Sequence, residues 1–185
     1  MSKLHDYVAS DYYRTFGKPC SMLKAFLIAV FRFNRSFTYL FWHRCSCYGF
    51  LMKPLAIIMR RFYQILYSID IPRGTTLGYG LNLGHGMCIV VNMGTKIGNN
   101  VNLSQFVNIG TNVKGENAVI GDEVYVGPQS CIIGKIRIGD GAVIGAHSVV
   151  THDVPSDTIV AGNPAKVIRT DQSRRYILRK SNELK

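Results

Sequence analysis

LGYGLNLGHGMCIVVNMG (77–94), IGNNVNLSQFVNIGTNVK (97–114) and IGDEVYVGPQSCIIGKIRIGDGAVIGAHSVVTHDVP (120–155) divide without remainder into twelve hexapeptides. Each begins with Ile, Val or Leu, and the fifth position is small or apolar throughout. Only Thr95–Lys96 and Gly115–Val119 interrupt the period. Six residues match neither a 3.6-residue helix nor a simple two-residue alternation, so each unit reads as a short strand followed by a bend. Hexapeptide repetition is the signature of a parallel β-helix. Three units per turn give an 18-residue coil and a triangular prism of about four coils, with strands stacked about 4.8 Å apart. Both insertions then fall at one corner of the prism, where a loop can leave the stacked interior undisturbed. The register places Ile120 beneath Ile138, Val126 beneath Ile144 and Ile132 beneath Val150, forming aliphatic columns inside. Gly78, Asn99, Asn100, Asp122, Gly139, Asp140 and Gly145 are expected to supply positive φ at the bends.

The flanks differ from the array. The chain has 185 residues and a formal charge of +11. Residues 1–68 carry ten Lys or Arg against two acids, residues 69–168 six against seven, and residues 169–185 six against two. This divides the chain into a basic, apolar helical segment (1–68), the solenoid (69–168) and a basic tail (169–185) expected to form a short C-terminal helix. Basic ends can meet anionic lipid, nucleic acid or an acidic substrate, but no nucleic-acid motif accompanies them. The apolar stretches Ser21–Trp42 and Phe50–Tyr67 are interrupted by Lys24, Arg35, Lys53, Arg60 and Arg61, among others. Neither offers the roughly 20 mostly uncharged residues that spanning a bilayer requires. They read either as helices lying on the inner membrane surface or as a hairpin packed on the solenoid or on partner subunits. No signal peptide is expected from the polar first residues. Five cysteines without paired spacing fit free thiols in a reducing cytoplasm.

Histidine is the natural general base near neutral pH. Of the five, His5 and His43 lie in the helical lead-in, while His147 and His152 sit on the last coil without the further ligands a metal site needs. His85 differs: it interrupts a bland unit between Gly84 and Gly86, which are expected to leave room for a ligand to approach the ring. IDIPRGTTLGYGLNLGHG (69–86), the array and the closing AGNPAK (161–166) together resemble the serine acetyltransferase branch of the hexapeptide acyltransferases, over residues 69–168. The resemblance implies a left-handed coil, a trimer, and acetyl-CoA as co-substrate with no metal. It also implies His85 as general base, oriented by Asp70 fifteen residues earlier. Gly110 is implied near the oxyanion, Gly127, Ala146 and Gly162 along the pantetheine arm, and Lys166 near the nucleotide phosphates.

Departures from that family bear on the acceptor. Glu116 and Asn117 stand where it has Arg and His, Gly84 stands where it has an acid, the helical lead-in is short, and the tail ends NELK without the Ile used to dock cysteine synthase. An acid where a carboxylate ligand needs a cation argues against free serine. The expected acceptor is therefore a saccharide hydroxyl in capsule, exopolysaccharide or O-antigen synthesis. Serine O-acetylation in cysteine synthesis and a non-catalytic scaffold are the alternatives.

Overall fold

In the computed structural model, residues 3–31, 34–112, 114–172 and 174–183 are described. The array forms a left-handed parallel β-helix of about five turns. One face stacks Ile69–Asp70, Ile89–Val91, Asn108–Gly110, Cys131–Ile133 and Val149–Val150. The second stacks Thr76–Leu77, Lys96–Ile97, Val119–Ile120 and Arg137–Ile138, continued by an isolated bridge from Ile138 to Val154. The third stacks Asn82–Leu83, Asn102–Leu103, Tyr125–Val126, Val143–Ile144 and Thr158–Gly162. All twelve aliphatic first positions, from Leu77 to Val150, are at most 2% exposed. Each contributes about 1.5–3 kcal/mol of burial. The extra turn arises because Ile69 pairs with Ile89 ahead of the first hexapeptide, and Val160 closes the far end.

Leu77 pairs with Ile97 and Ile97 with Ile120, so the two insertions do leave at one corner, between the first and second faces. The bends run differently from expectation. Of the seven residues named for positive φ, only Asn100 adopts it. The left-handed residues recur at position four of a unit: Gly80, Gly86, Asn100, Phe106, Glu123, Gln129, Gly141 and His147. The glycines at position two are required for another reason, the closeness of successive turns. A Cβ on Gly78 would stand 2.4 Å from the Gly98 carbonyl oxygen, and one on Gly139 would stand 2.4 Å from the Ser156 nitrogen.

Four helices precede the solenoid: α1 (Lys3–Phe16), α2 (Met22–Phe31), α3 (Arg35–Tyr48) and α4 (Lys53–Tyr67). Asn34 caps α3 by accepting from the Phe37 N–H, which splits the long apolar stretch in two. Phe37, Tyr39, Leu40, Phe41 and Trp42 of α3 are buried, as expected of a helix covered on all sides. Its core is continuous with the aliphatic columns of the solenoid. Burial depresses the His43 ring to about 3, helped by Arg44, Arg60 and Arg73. With an ordinary value near 6.5, the unfolded chain binds this proton more readily than the folded one. The stability His43 contributes is therefore complete above about pH 6.5 and is lost as pH falls towards 3. Lowering pH from 7 to 5 should cost about 2 kcal/mol through this residue. His43→Phe should flatten that part of a urea-denaturation pH series.

Among the described residues the tail forms no α-helix. Ala165–Thr170 turns back antiparallel onto Thr158–Gly162 and pairs the otherwise open edge of the last strand. Beyond it the chain runs back along a corner of the prism, and its cations have partners there. Arg174 reaches Asp157 and Glu123, and Lys180 reaches Glu123. Tyr176 lies on Tyr125, the Ser181 N–H meets Asn100, and Ser181–Glu183 forms a single 3-10 turn. Contacts spaced along a corner hold the segment extended, and a helix would draw them together.

Candidate active site

His85 occupies the bend that follows Asn82–Leu83, with φ +58° and an exposed ring. Of the flanking glycines, Gly86 serves packing, whereas Gly84 lines both clefts beside the ring. A Cβ on Gly86, itself at φ +55°, would stand 2.5 Å from the Ser36 nitrogen, and one on Gly84 would press on Ser104 at 3.2 Å. The start of α3 therefore closes directly on this bend, and the Leu83 N–H donates to Ser36 Oγ at 3.1 Å.

The ring stands between two clefts. One, about 510 Å³, includes Arg14, Arg35, Asn82, His85, Asn102 and Arg179 in its lining. The other, about 290 Å³, includes Asn102, Ser104, Gln105, Tyr125 and Pro128 beside His85. A larger cavity of about 680 Å³ lies elsewhere, between α1, the tail and Asp122. The three arginines of the first cleft are not equivalent. Arg14 is committed to the carbonyls of Gly80 and Asn100 and to Asn102 Oδ1. Arg179 donates to the Thr15 carbonyl. Arg35 is exposed, meets the Met87 sulfur at 3.6 Å and lies over the Tyr67 ring. Among the described residues it is the one of the three with no carboxylate, carbonyl or amide oxygen partner, and composition gave no sign of it.

Several of the expected co-substrate residues fall on the same edge as His85. The bends after successive third-face strands are Gly84–His85, Ser104–Gln105, Gly127–Pro128 and Gly145–Ala146, and Ala161–Gly162, the end of the last strand, stacks next in the same register. They stack by hydrogen bonds from the Gly127 N–H to the Ile144 carbonyl and from the Gly145 N–H to the Val160 carbonyl, both 2.8 Å. Four steps of about 4.8 Å put Gly162 about 19 Å from His85 along that edge. Lys166 is exposed and pairs with Ala161 beside it. Gly110 stands apart, at the end of Asn108–Gly110 on the first face.

Asp70 lies on the first face, opposite Val90, with its carboxylate exposed. Its Oδ1 accepts from Gln64 Nε2 at 2.7 Å, and Arg60 donates to Gln64 Oε1 at 3.2 Å. Among the described residues no hydrogen bond or ion pair joins Asp70 to His85. Gln64 is a polar partner of this carboxylate that no sequence spacing singled out. Among the described residues no group of three or more His, Cys, Asp or Glu could hold a metal ion.

Comparison with known proteins fixes the lineage. Residues 117–152 match the bacterial transferase hexapeptide (six repeats) family. The chain is 33% identical over 143 residues to serine acetyltransferase of Helicobacter pylori, covering 70% of itself and 82% of that relative. The chain belongs to the serine acetyltransferase family. The crystal structure of the Neisseria gonorrhoeae member in complex with serine shares 31% identity and superposes with TM-score 0.71, over 89% of this chain and 68% of that one. A serine acetyltransferase complex with CoA shares 26% identity at TM-score 0.71, over 89% and 69%. Other family members are longer: the chain spans 37% of the length of serine acetyltransferase 2 from Arabidopsis thaliana and 50% of the Buchnera aphidicola enzyme.

These relatives overturn the expected saccharide acceptor, because sequence and structural neighbours alike are serine acetyltransferases. Within one chain Glu116 does not line either cleft beside His85. It pairs with Lys135 at 3.1 Å and accepts from Asn112, while Asn117 accepts from Asn92, so both residues brace their loop. Arg35, on α3, does line the larger of the two clefts.

Proposed function

We propose that this chain transfers the acetyl group of acetyl-CoA to the hydroxyl of serine, with His85 as general base. The observation carrying this reading is the exposed His85 ring, set between an arginine-lined cleft and the stacked edge of Gly127, Ala146 and Gly162. The thioester would arrive along that edge, its pantetheine arm against the small residues and its phosphates near Lys166. Serine would occupy the arginine-lined cleft with its carboxylate on Arg35. His85 takes the hydroxyl proton as the oxygen attacks the thioester carbonyl. The tetrahedral adduct then expels the CoA thiolate, which receives the proton from His85. Asp70, steadied by Gln64, orients the imidazole and balances its charge once substrate closes the gap between them. Trimerisation belongs to this reading: Gly110, one strand away from the edge in its own chain, would reach the thioester from a neighbouring solenoid.

A thiol-release assay with acetyl-CoA and L-serine tests the reading, and absence of serine-dependent release overturns it. Arg35→Ala should raise the KM for L-serine about 10- to 100-fold, the worth of a charge-assisted pair. The KM for acetyl-CoA should stay within about threefold. An unchanged serine KM would remove Arg35 from the acceptor site and leave the transferase reading to the His85 test.

A further inference from the structure

The helix that delivers the chain to Asp70 faces the wrong way for a soluble protein. α4 packs inward through Ala56, Tyr63 and Tyr67, which are small or carry a hydroxyl. Its large apolar residues point to solvent: Ile58 is 66% exposed, Ile65 69%, Leu66 56%, Phe62 54% and Leu55 48%. At about 100° per residue these five fall within one arc of about 100°. Phe50 and Leu51, in the turn just before α4, are 91% and 89% exposed. Exposed apolar surface of this continuity marks an interaction site.

Charge decides what covers it. Residues 12–69 hold nine Lys or Arg and no Asp or Glu. On the helix itself exposed Arg61 borders the apolar arc, while exposed Lys53 stands about 170° round from the arc's centre and lies beside the Phe50–Leu51 turn that it follows in the chain. A second copy meeting this face about a two-fold axis would set Arg61 near its own kind with no acid in the segment to offset it. An anionic lipid surface offers the complementary charge together with an apolar layer for Phe50, Leu51, Ile58, Phe62 and Ile65. No helix among the described residues is long and apolar enough to cross a membrane, so the contact would lie in the interface plane.

We propose that α4 and the turn before it form an interfacial docking face for a bilayer rich in anionic lipid. This inference stands apart from the acetyl-transfer reading and survives its failure. The test is flotation of the purified full-length chain with vesicles of phosphatidylcholine alone or mixed with phosphatidylglycerol. The chain should float with the mixed vesicles, far less with phosphatidylcholine, and be released by salt. Lys53→Gln with Arg61→Gln should weaken partitioning about 30-fold, at about 1 kcal/mol per cation. Ile58→Ser with Ile65→Ser should weaken it about 100-fold or more. Both pairs lie on exposed positions and should retain the circular dichroism of the parent. Failure to float with anionic vesicles overturns the proposal. So does an Ile58→Ser/Ile65→Ser protein that light scattering shows to be a smaller oligomer than the parent, because the face would then belong to a second copy.

Discussion

His85→Asn should lower serine-dependent turnover about 10²- to 10⁴-fold, the contribution of a positioned general base. Asn is the better replacement because His85 sits at φ +58°, a left-handed conformation that Asn tolerates and Ala resists. The exposed ring makes no hydrogen bond that holds the fold among the described residues, so the thermal midpoint should move little. The stacked edge at Gly127, Gly145 and Gly162 is untouched, and acetyl-CoA should still bind with near-parental affinity. Asp70→Asn should also lower turnover, by up to about 10⁴-fold, as for a carboxylate that fixes the tautomer of a base imidazole. Steady-state kinetics with L-serine, alongside calorimetric binding of acetyl-CoA, separate these outcomes. A His85→Asn protein that turns over within about threefold of the parent ends the general-base assignment.

The solenoid could be read from the sequence because one rule repeats: an aliphatic residue every sixth position, with insertions confined to a corner. Leu77 to Val150 obey it and all are buried. The first turn was hidden because Ile69 joins the stack across an eight-residue interval, IDIPRGTT, that contains no hexapeptide. The tail was misread for a related reason. A basic run such as RRYILRK looks helical by composition, yet Arg174 and Lys180 answer carboxylates on a corner of the prism and Arg179 a carbonyl on α1, with only Arg175 paired inside the tail, and the spacing of those outside partners leaves no trace in the tail's own sequence. His85 stands out by residue type and by the resemblance, Asp70 by the resemblance alone. Arg35 and Gln64 have no such signal, because they reach these two residues from α3 and α4, elements whose placement on the solenoid is tertiary. The expected acceptor rested on the loop at Glu116, and it is the relatives that correct it.

Among the contacts that hold the helices to the first turn is a fully buried ion pair, and breaking it should be strongly destabilising. Arg44 on α3 meets Asp11 on α1 through Nε to Oδ2 at 2.8 Å and Nη2 to Oδ1 at 3.3 Å, with both side chains 1% exposed. Arg44 also donates to the Leu77 carbonyl at 3.0 Å and the Gly78 carbonyl at 2.6 Å, and Asp11 accepts from the Leu81 N–H at 3.0 Å. Two helices and the first coil thus share one polar knot inside an apolar core. Burial pushes the Asp11 carboxyl above its ordinary value, while Arg44 and the Leu81 N–H pull it down. Asp11→Ala leaves a guanidinium buried without its counter-ion, which should cost about 3–5 kcal/mol. For a chain of this length that is a fall in thermal midpoint of about 10 °C or more. Adding Arg44→Met removes the stranded charge and should restore part of the loss, but not all, because the carbonyls of Leu77 and Gly78 and the Leu81 N–H then lack partners. Urea denaturation of the two single variants and the double variant measures this coupling. An Asp11→Ala protein within about 1 kcal/mol of the parent would show that the knot does not fasten the helices to the solenoid.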